Sequence, residues 1–193
     1  MRILLGGGIG AGKSAVGHRL ALRGLLFVES DNLGHETLEP GGAAFSEVAR
    51  RWPEALKDGV IDRSALARIV FSDEDQLKEL EAMTHIHIVR RIAEIGSQSN
   101  LLVVEVPVML ELEGDWTKVY VAAPRSVRRE RAIRRGGTPR DVDYRMDRQA
   151  DHRTWTAWAD EIITNGGTID GLDRAVDALW SRLLTNLGRG MSP

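Results

Sequence analysis

The feature that most constrains this chain is a glycine-rich segment near its N-terminus. Its eight residues are Gly7, Gly8, Ile9, Gly10, Ala11, Gly12, Lys13 and Ser14. They match the phosphate-loop pattern G-x-x-x-x-G-K-[ST] at every fixed position, with Lys13 reaching the β- and γ-phosphates and the Ser14 hydroxyl ligating magnesium. Glycines let the backbone N–H groups curl inward toward phosphate oxygens, and the next helix presents its positive end to them. The alternative is a glycine-rich turn that matches by chance.

The segments around the loop predict an α/β fold. Five short apolar runs predict strands, at residues 1–5, 25–29, 101–106, 118–123 and 161–164. Helical patterns follow or separate them, at residues 13–23, 63–71, 74–95, 124–135, 141–158 and 170–187. Strands that alternate with helices indicate a parallel five-stranded sheet with helices on both faces, the three-layer fold of P-loop NTPases.

Composition argues against several other classes of function. The 193 residues include no cysteine, which excludes disulfides and cysteine nucleophiles and fits a reducing cytoplasm. The formal net charge of −2 gives no general attraction for nucleic acid or a membrane surface. The most apolar internal run, residues 101–110, is too short to span a bilayer, and no signal peptide is visible. We expect a cytoplasmic protein without nucleic-acid or membrane partners, and the oligomeric state stays open.

A phosphate loop alone does not distinguish kinases from switches. Residues 31–34 spell D-x-x-G, a pattern of GTPases, but they come too soon after the loop, and the chain has no N-K-x-D. Asp31 instead follows the second predicted strand, and ligands of parallel sheets bind beyond the carboxyl ends of the strands. A carboxylate there can accept a hydroxyl proton during attack on the γ-phosphorus. A helix-capping or turn aspartate is the structural alternative.

Arginines are concentrated after the fourth predicted strand. The segment contains Arg125, Arg128, Arg129, Arg131, Arg134 and Arg135, opposed only by Glu130. At helical spacing, such arginines can close over a triphosphate and neutralise charge in the transition state. A solvated helix face is the competing explanation for part of the set.

These patterns indicate a single domain with two additions. We expect a core over residues 1–33 and 100–187, a helical acceptor-binding insertion at about 34–99 and a lid at about 125–150. The insertion is predicted to be helical throughout, and the tail at 188–193 is expected to be disordered. No histidine–carboxylate set has the spacing of metal ligands, so magnesium carried in with ATP is the metal implied.

The first half of the chain resembles the dephospho-coenzyme A kinase family. Its loop resembles the family's G-G-I-G-S-G-K-S, and Glu29-Ser30-Asp31 and Glu39-Pro40-Gly41 resemble D-A-D and E-P-G. Residues 63–71 resemble R-x-x-L-x-x-x-I/V-F, and residues 85–88 are similar to H-P-x-I.

The resemblance continues to about Leu183. Residues 106–111 resemble V-P-L-L-x-E, and Arg131 with Arg135 resembles the R-x-x-x-R of the family's lid. Residues 145–149 and 159–165 resemble R-x-x-x-Q and A-D-x-x-I-x-N. The chain departs from the family where Gly6 replaces threonine, Glu29 aspartate, Ile86 proline and Trp155 a lysine.

The resemblance implies ATP-dependent phosphorylation of the ribose 3′-hydroxyl of dephospho-CoA, the last step of coenzyme A synthesis. Asp31 is then the general base, and the other implied catalytic residues are Lys13, Arg131 and Arg135. The implied ATP-binding residues are Gly8, Ile9, Gly10, Ala11, Gly12, Lys13, Ser14, Ala15, Asn165 and Gly167. Besides Asp31, the implied dephospho-CoA contacts are His85, Glu111 and Arg145. Ser14 is the implied magnesium ligand.

Two other functions remain compatible with these residues. One is a P-loop kinase for another small acceptor, such as a nucleoside monophosphate or a sugar acid. The other is a nucleotide-binding protein without catalytic activity. Turnover with a panel of acceptors distinguishes all three.

Overall fold

The computed structural model describes the backbone of residues 1–189 and the side chains of residues 1–186. The chain divides into two compact units. The first contains Met1–Glu29 and the chain from Ser99 onward, and the second is Ser30–Gln98.

Within the described residues the elements follow one another in this order: β1 (Arg2–Gly6), α1 (Lys13–Ala21), β2 (Leu26–Glu29), α2 (Ser30–Leu38), α3 (Phe45–Arg51), a 3₁₀ turn (Pro53–Ala55), β3 (Leu56–Lys57), β4 (Val60–Ile61), α4 (Arg63–Val70), α5 (Glu74–Gln98), β5 (Leu102–Glu105), β6 (Thr117–Ala122), α6 (Arg125–Arg134), α7 (Pro139–Arg148), α8 (His152–Trp158), β7 (Glu161–Thr164) and α9 (Ile169–Arg189).

The first unit is built on a five-stranded sheet with the order β2-β5-β1-β6-β7, and every pair is parallel. In β1, Ile3, Leu4 and Leu5 are completely buried, because helices cover parallel sheets on both faces. Helices α1 and α9 cover one face, where Val16 and Leu179 pack with Ile3 and Leu5. The predicted fold class and its five strands are confirmed.

The opposite face of β1 carries an aromatic cluster. Trp155 of α8 is buried and stacks on Tyr120 of β6 at 5.7 Å between ring centroids. A Cβ at Gly6 would lie 2.4 Å from Trp155 Cζ3 and 2.8 Å from Trp158 Cζ3. Gly6 and Trp155, two departures from the family pattern, are therefore in direct contact, and the glycine makes room for the indole.

The second unit has its own core, in which Val48, Trp52, Leu66 and Val70 pack together. The prediction that it is helical throughout is wrong, because β3 and β4 form an antiparallel hairpin. The hairpin turns at Asp58 and Gly59, whose φ angles of 52° and 78° suit an Asp-Gly turn. Ile86 lies inside the uninterrupted α5 and supplies a backbone N–H that a proline would lack.

The single helix predicted for residues 141–158 is also wrong. The chain leaves the helical path at Gln149, and Asp151 caps a new helix by accepting a hydrogen bond from Thr154 N at 2.8 Å. Helix α9 includes Gly188 and Arg189 of the expected disordered tail, and residues 190–193 lie outside the described part. Within residues 1–189, no helix combines the length and apolar character needed to cross a membrane.

Candidate functional site

The glycine-rich loop joins the central strand β1 to α1. Its φ angles are positive at Gly7, Gly10 and Gly12, at 145°, 74° and 92°. A Cβ at Gly10 would lie 2.1 Å from the backbone oxygen of Arg128, so both the conformation and the packing require glycine. Gly12, the residue before α1, has no side chain to accept from the first amides of this helix. Those amides are therefore available to an anion.

Lys13 is held at the start of the loop. Its Nζ donates to the Gly7 backbone oxygen at 3.0 Å and lies 3.5 Å from Oε1 of Glu105, the last residue of β5. Oε2 of Glu105 is buried and has no hydrogen-bond partner among the described residues. The loop thus has a largely buried ammonium group and, beside it, a carboxylate oxygen that still lacks a partner.

A second set of contacts joins the loop to the end of β7. Asn165 is buried, and its Nδ2 donates to the backbone oxygen of Ala11 at 2.8 Å. Arg131 Nη1 donates to the Asn165 backbone oxygen at 2.8 Å, and Nη2 lies 3.4 Å from its Oδ1. The structure therefore brings Arg131 and Asn165 to the loop, where the arginine holds the asparagine. Gly167 is exposed, and its Cβ position is open.

Helices α6 and α7 pack together as a hairpin around Ala132, Val142 and Met146. Ile9 of the loop packs against this cluster, and its backbone N–H donates to Gln149 Oε1 at 2.9 Å. A Cβ at Gly8 would lie 1.8 Å from Arg128 Nη1. The α6–α7 hairpin thus touches the loop through its apolar interior and through two polar side chains.

Neither of these two polar residues was among the predicted site residues. Gln149 ends the R-x-x-x-Q motif, so the sequence contained a signal for it. Arg128 belongs to a stretch of similar arginines, and the sequence offers no reason to separate it from its neighbours. Only the fold shows that it faces Gly8.

The remaining residues predicted in the first unit lie at its surface. Arg135 and Arg145 are exposed and line a groove of about 370 Å³ with Ile9 and Gly10. Glu111 is 74% exposed and accepts from Lys118 Nζ at 2.9 and 2.7 Å. Arg135 and Arg145 are thus near the loop, whereas the carboxylate of Glu111 is already paired with a lysine.

Two predicted residues belong to the second unit. Asp31 is exposed in the first turn of α2, and His85 is exposed on α5. The groove of about 280 Å³ on this unit is lined by His87, not by His85. A neighbouring histidine, His35, has its Nε2 2.7 Å from Arg63 Nη2. Burial, followed by the charge of Arg63, lowers the pKa of His35 below its ordinary value, while Asp31 and Glu39 oppose the shift.

The donor set around Lys13 fits magnesium delivered with a nucleotide. Ser14 lies in the first turn of α1, and Glu105 offers the unpartnered carboxylate oxygen. Hydroxyl and carboxylate oxygens are ligands that magnesium prefers, usually together with waters and substrate phosphates. Among the residues described, no group of three histidine, cysteine, aspartate or glutamate side chains forms a separate metal site.

The central strand, the glycine-rich loop and the uncapped helix together define a P-loop nucleotide-binding protein of the kinase type. Comparison with known proteins then identifies the family. The family model for dephospho-CoA kinase matches residues 1–171. The dephospho-CoA kinase of Frankia casuarinae is 38% identical over 190 residues, which cover 93% of this chain and 82% of that protein. This chain belongs to the dephospho-CoA kinase family.

Solved structures share the fold. A protein from Thermus thermophilus superposes with a TM-score of 0.79 at 33% identity, covering 95% of this chain and 97% of the other. The dephospho-CoA kinase of Campylobacter jejuni gives a TM-score of 0.69 at 22% identity, covering 94% and 96%. At that lower identity the likeness extends to the fold alone.

Proposed function

We propose that this protein transfers the γ-phosphoryl group of ATP to the ribose 3′-hydroxyl of dephospho-CoA. The observation that carries the proposal is the loop itself, which holds Lys13 at Gly7 and leads into the uncapped end of α1, an arrangement suited to phosphate. Membership of the dephospho-CoA kinase family supports the choice of acceptor.

The donor nucleotide is proposed to bind along the loop from Gly8 to Ala15, with its adenine beside Asn165 and Gly167. Asn165 is well suited to this position because its hydrogen bond to Ala11 ties the end of β7 to the loop. Arg131 supports it from α6. We infer that the phosphates face Lys13 and the adenine faces the chain after β7.

Ser14 is the proposed magnesium ligand, and Glu105 is proposed to hold the water around the ion. When bound, magnesium would neutralise charge on the β- and γ-phosphates. The unpartnered oxygen of Glu105 is the feature of this chain that supports the assignment. Lys13 lies between this carboxylate and the Gly7 backbone oxygen, and its ammonium is proposed to bind the β- and γ-phosphates.

Asp31 is proposed as the general base. It follows the end of β2 by two residues, and it is exposed and therefore accessible to an acceptor. Its carboxylate takes the proton of the 3′-hydroxyl as that oxygen attacks the γ-phosphorus and ADP leaves.

The second unit is proposed to bind the acceptor, and the α6–α7 hairpin to act as the lid. His85, Glu111 and Arg145 are the proposed acceptor contacts, and Arg135 the proposed phosphate contact from the lid. Exposure of these four side chains is compatible with ligand binding. We infer that the reaction takes place in the cytoplasm, in line with a chain that contains no cysteine.

The test is a panel of acceptors with coupled detection of ADP. Dephospho-CoA should give turnover far above AMP, shikimate or gluconate, and the product should carry its new phosphate on the 3′-oxygen. Turnover with another acceptor but not with dephospho-CoA would contradict the proposal. ATP binding without ADP release from any acceptor would instead support a non-catalytic nucleotide-binding protein.

An Asp31→Asn variant tests the base separately. Turnover should fall by about 100-fold or more, since general bases contribute on that order. ATP affinity should stay close to that of the unmodified protein, because the change leaves the loop intact. Full activity in the variant would remove Asp31 from the mechanism.

A further inference from the structure

The arginines of α6 differ in what their guanidinium groups contact. Arg125 and Arg129 are bound to carboxylates of α7, namely Asp147 at 2.7 Å and Asp143 at 2.7 and 2.9 Å. Arg134 is paired with Glu130 on its own helix. Arg131 is bonded to Asn165. These contacts occupy four of the six arginines from Arg125 to Arg135.

Arg128 has neither a carboxylate nor a hydrogen-bonded partner among the residues that the structure describes. It is half-buried, whereas Arg135, which likewise lacks a carboxylate partner there, is exposed. Burial lowers the pKa of Arg128, with Arg125 adding to the shift and Tyr120 opposing it. A cation withdrawn from water without a counter-charge is costly, so this position favours an anion.

The space beside Arg128 can admit such an anion. A cleft of about 640 Å³ is lined by Arg128, Gln149 and Trp155. Trp155 has a buried Nε1 for which the described residues provide no acceptor. Asp147 and Asp151 also line the cleft, but Asp147 is bonded to Arg125 and Asp151 accepts from Thr154 at the start of α8. The cleft therefore offers space beside Arg128, and among the described residues that line it no carboxylate pairs with this guanidinium.

The position of Arg128 on the loop indicates which phosphate is involved. Its Nη1 lies against Gly8, next to Gly7, whose backbone oxygen accepts from Lys13. The lysine of a P-loop reaches the β- and γ-phosphates. Arg128 and Lys13 therefore both contact the start of the loop, through Gly8 and Gly7.

We propose that Arg128 binds the γ-phosphate of the donor nucleotide and stabilises the charge on the phosphoryl group during transfer. This inference rests on the proposed function only in taking ATP as the donor. It assigns the charge-neutralising role to Arg128 in place of Arg131, whose guanidinium holds Asn165. A planar guanidinium matches phosphate oxygens through parallel N–H groups, which a lysine at the same position does not reproduce.

The test compares Arg128→Ala and Arg128→Lys with Arg134→Ala, an exposed arginine of the same helix. Affinities for ADP and for a non-hydrolysable ATP analogue are measured without acceptor, followed by kcat and KM with dephospho-CoA. In Arg128→Ala, analogue affinity should fall about 10-fold more than ADP affinity, and kcat about 100-fold, as for the loss of one donor to a transition-state oxyanion. Arg128→Lys should recover part of the loss, and Arg134→Ala should match the unmodified protein.

Equal losses for ADP and the analogue, or an unchanged kcat, would overturn the proposal. The binding comparison needs no acceptor, so it remains decisive even if dephospho-CoA is not the substrate. Thermal unfolding of each variant serves as the folding control. Arg128 has no partner within the described residues, so its removal should leave the melting temperature close to that of the unmodified protein.

Discussion

The side-chain oxygen of Gln149 accepts a hydrogen bond from the backbone N–H of Ile9, at 2.9 Å. The donor is an amide of the phosphate-binding loop, and the acceptor follows the last residue of α7. An amide oxygen thus occupies a position in which a phosphate oxygen is expected to bind. If a phosphate oxygen binds to this amide as proposed, it replaces the Gln149 oxygen.

We expect Gln149→Ala to bind ATP about 5-fold more tightly, since a typical hydrogen bond contributes roughly 1 kcal/mol and this one competes with the ligand. Gln149→Glu should bind ATP more weakly, because its carboxylate can still accept from Ile9 and also repels the triphosphate. Calorimetric titration of both variants measures these affinities. Weaker binding by Gln149→Ala would show instead that the glutamine contacts the nucleotide.

A second prediction concerns the pair formed by Lys13 and Glu105. Both side chains are largely buried, 11% and 16% exposed. Lys13→Met should abolish most turnover and also destabilise the fold by about 1–3 kcal/mol, because it leaves a buried carboxylate unpaired. Adding Glu105→Gln should recover part of that stability without restoring activity.

Urea unfolding measures the free energies for this pair. Lys78→Met is the matched control, because Lys78 pairs with Glu74 on an exposed helix surface. Lys78→Met should change the free energy of unfolding by no more than about 0.5 kcal/mol. If the effects of the Lys13 and Glu105 substitutions on the free energy of unfolding were additive, the predicted coupling of the two side chains would be contradicted.

A third prediction concerns Asn165. Removal of its side chain leaves the Ala11 backbone oxygen without its partner and takes away the 3.4 Å contact of Arg131 Nη2, while the bond of Arg131 to the Asn165 backbone oxygen remains. Asn165→Ala should therefore lower the free energy of unfolding by about 1–3 kcal/mol. Thr164→Ala, at the exposed preceding position, should change it by no more than about 0.5 kcal/mol. Similar effects of the two substitutions in chemical denaturation would refute this interpretation.

A fourth prediction concerns pH. The pKa of His35 is lower in the folded protein than its ordinary value of 6.5, so the unfolded chain binds the proton more readily. The stability contributed by neutral His35 is present above that value and lost as the pH falls below it. His35→Gln can still accept from Arg63 but does not titrate. The unmodified protein should therefore lose more stability than the variant between pH 7.5 and 5, measured by urea unfolding, and equal losses would argue against the shift.

The elements of the fold that could be predicted from the sequence are those with continuous apolar runs. Strands such as β1 are buried on both faces, so composition alone distinguishes them. The β3–β4 hairpin has two-residue strands, too short for any period, although Asp58-Gly59 is a turn signal. The break between α7 and α8 depends on Asp151 as a cap, within a pattern that otherwise continues as a helix.

The residues of the candidate site also fall into two groups, those that a local sequence motif identifies and those that depend on contacts across the fold. The loop is local in sequence, so Lys13 and Ser14 could be identified directly from it. Arg128 could not, because its role depends on a contact with Gly8 across the fold. The contact of Arg131 with Asn165 likewise joins residues far apart in the chain. Asp31, assigned from its position after the second strand and from the family pattern, and His85, assigned from the family pattern, remain predictions.

The contact between Gly6 and Trp155 restricts the order in which these two residues can be substituted. A threonine at Gly6 would clash with the indole of Trp155. A smaller side chain at position 155 would instead leave a cavity without a steric clash. Substitution of both positions by the residues of the family pattern would therefore have to begin in α8, where Trp155 and Trp158 lie, and only then reach β1. A loop transplanted from a relative together with its preceding threonine would be incompatible with this protein unless Trp155 were replaced and the ring of Trp158 were replaced or moved as well.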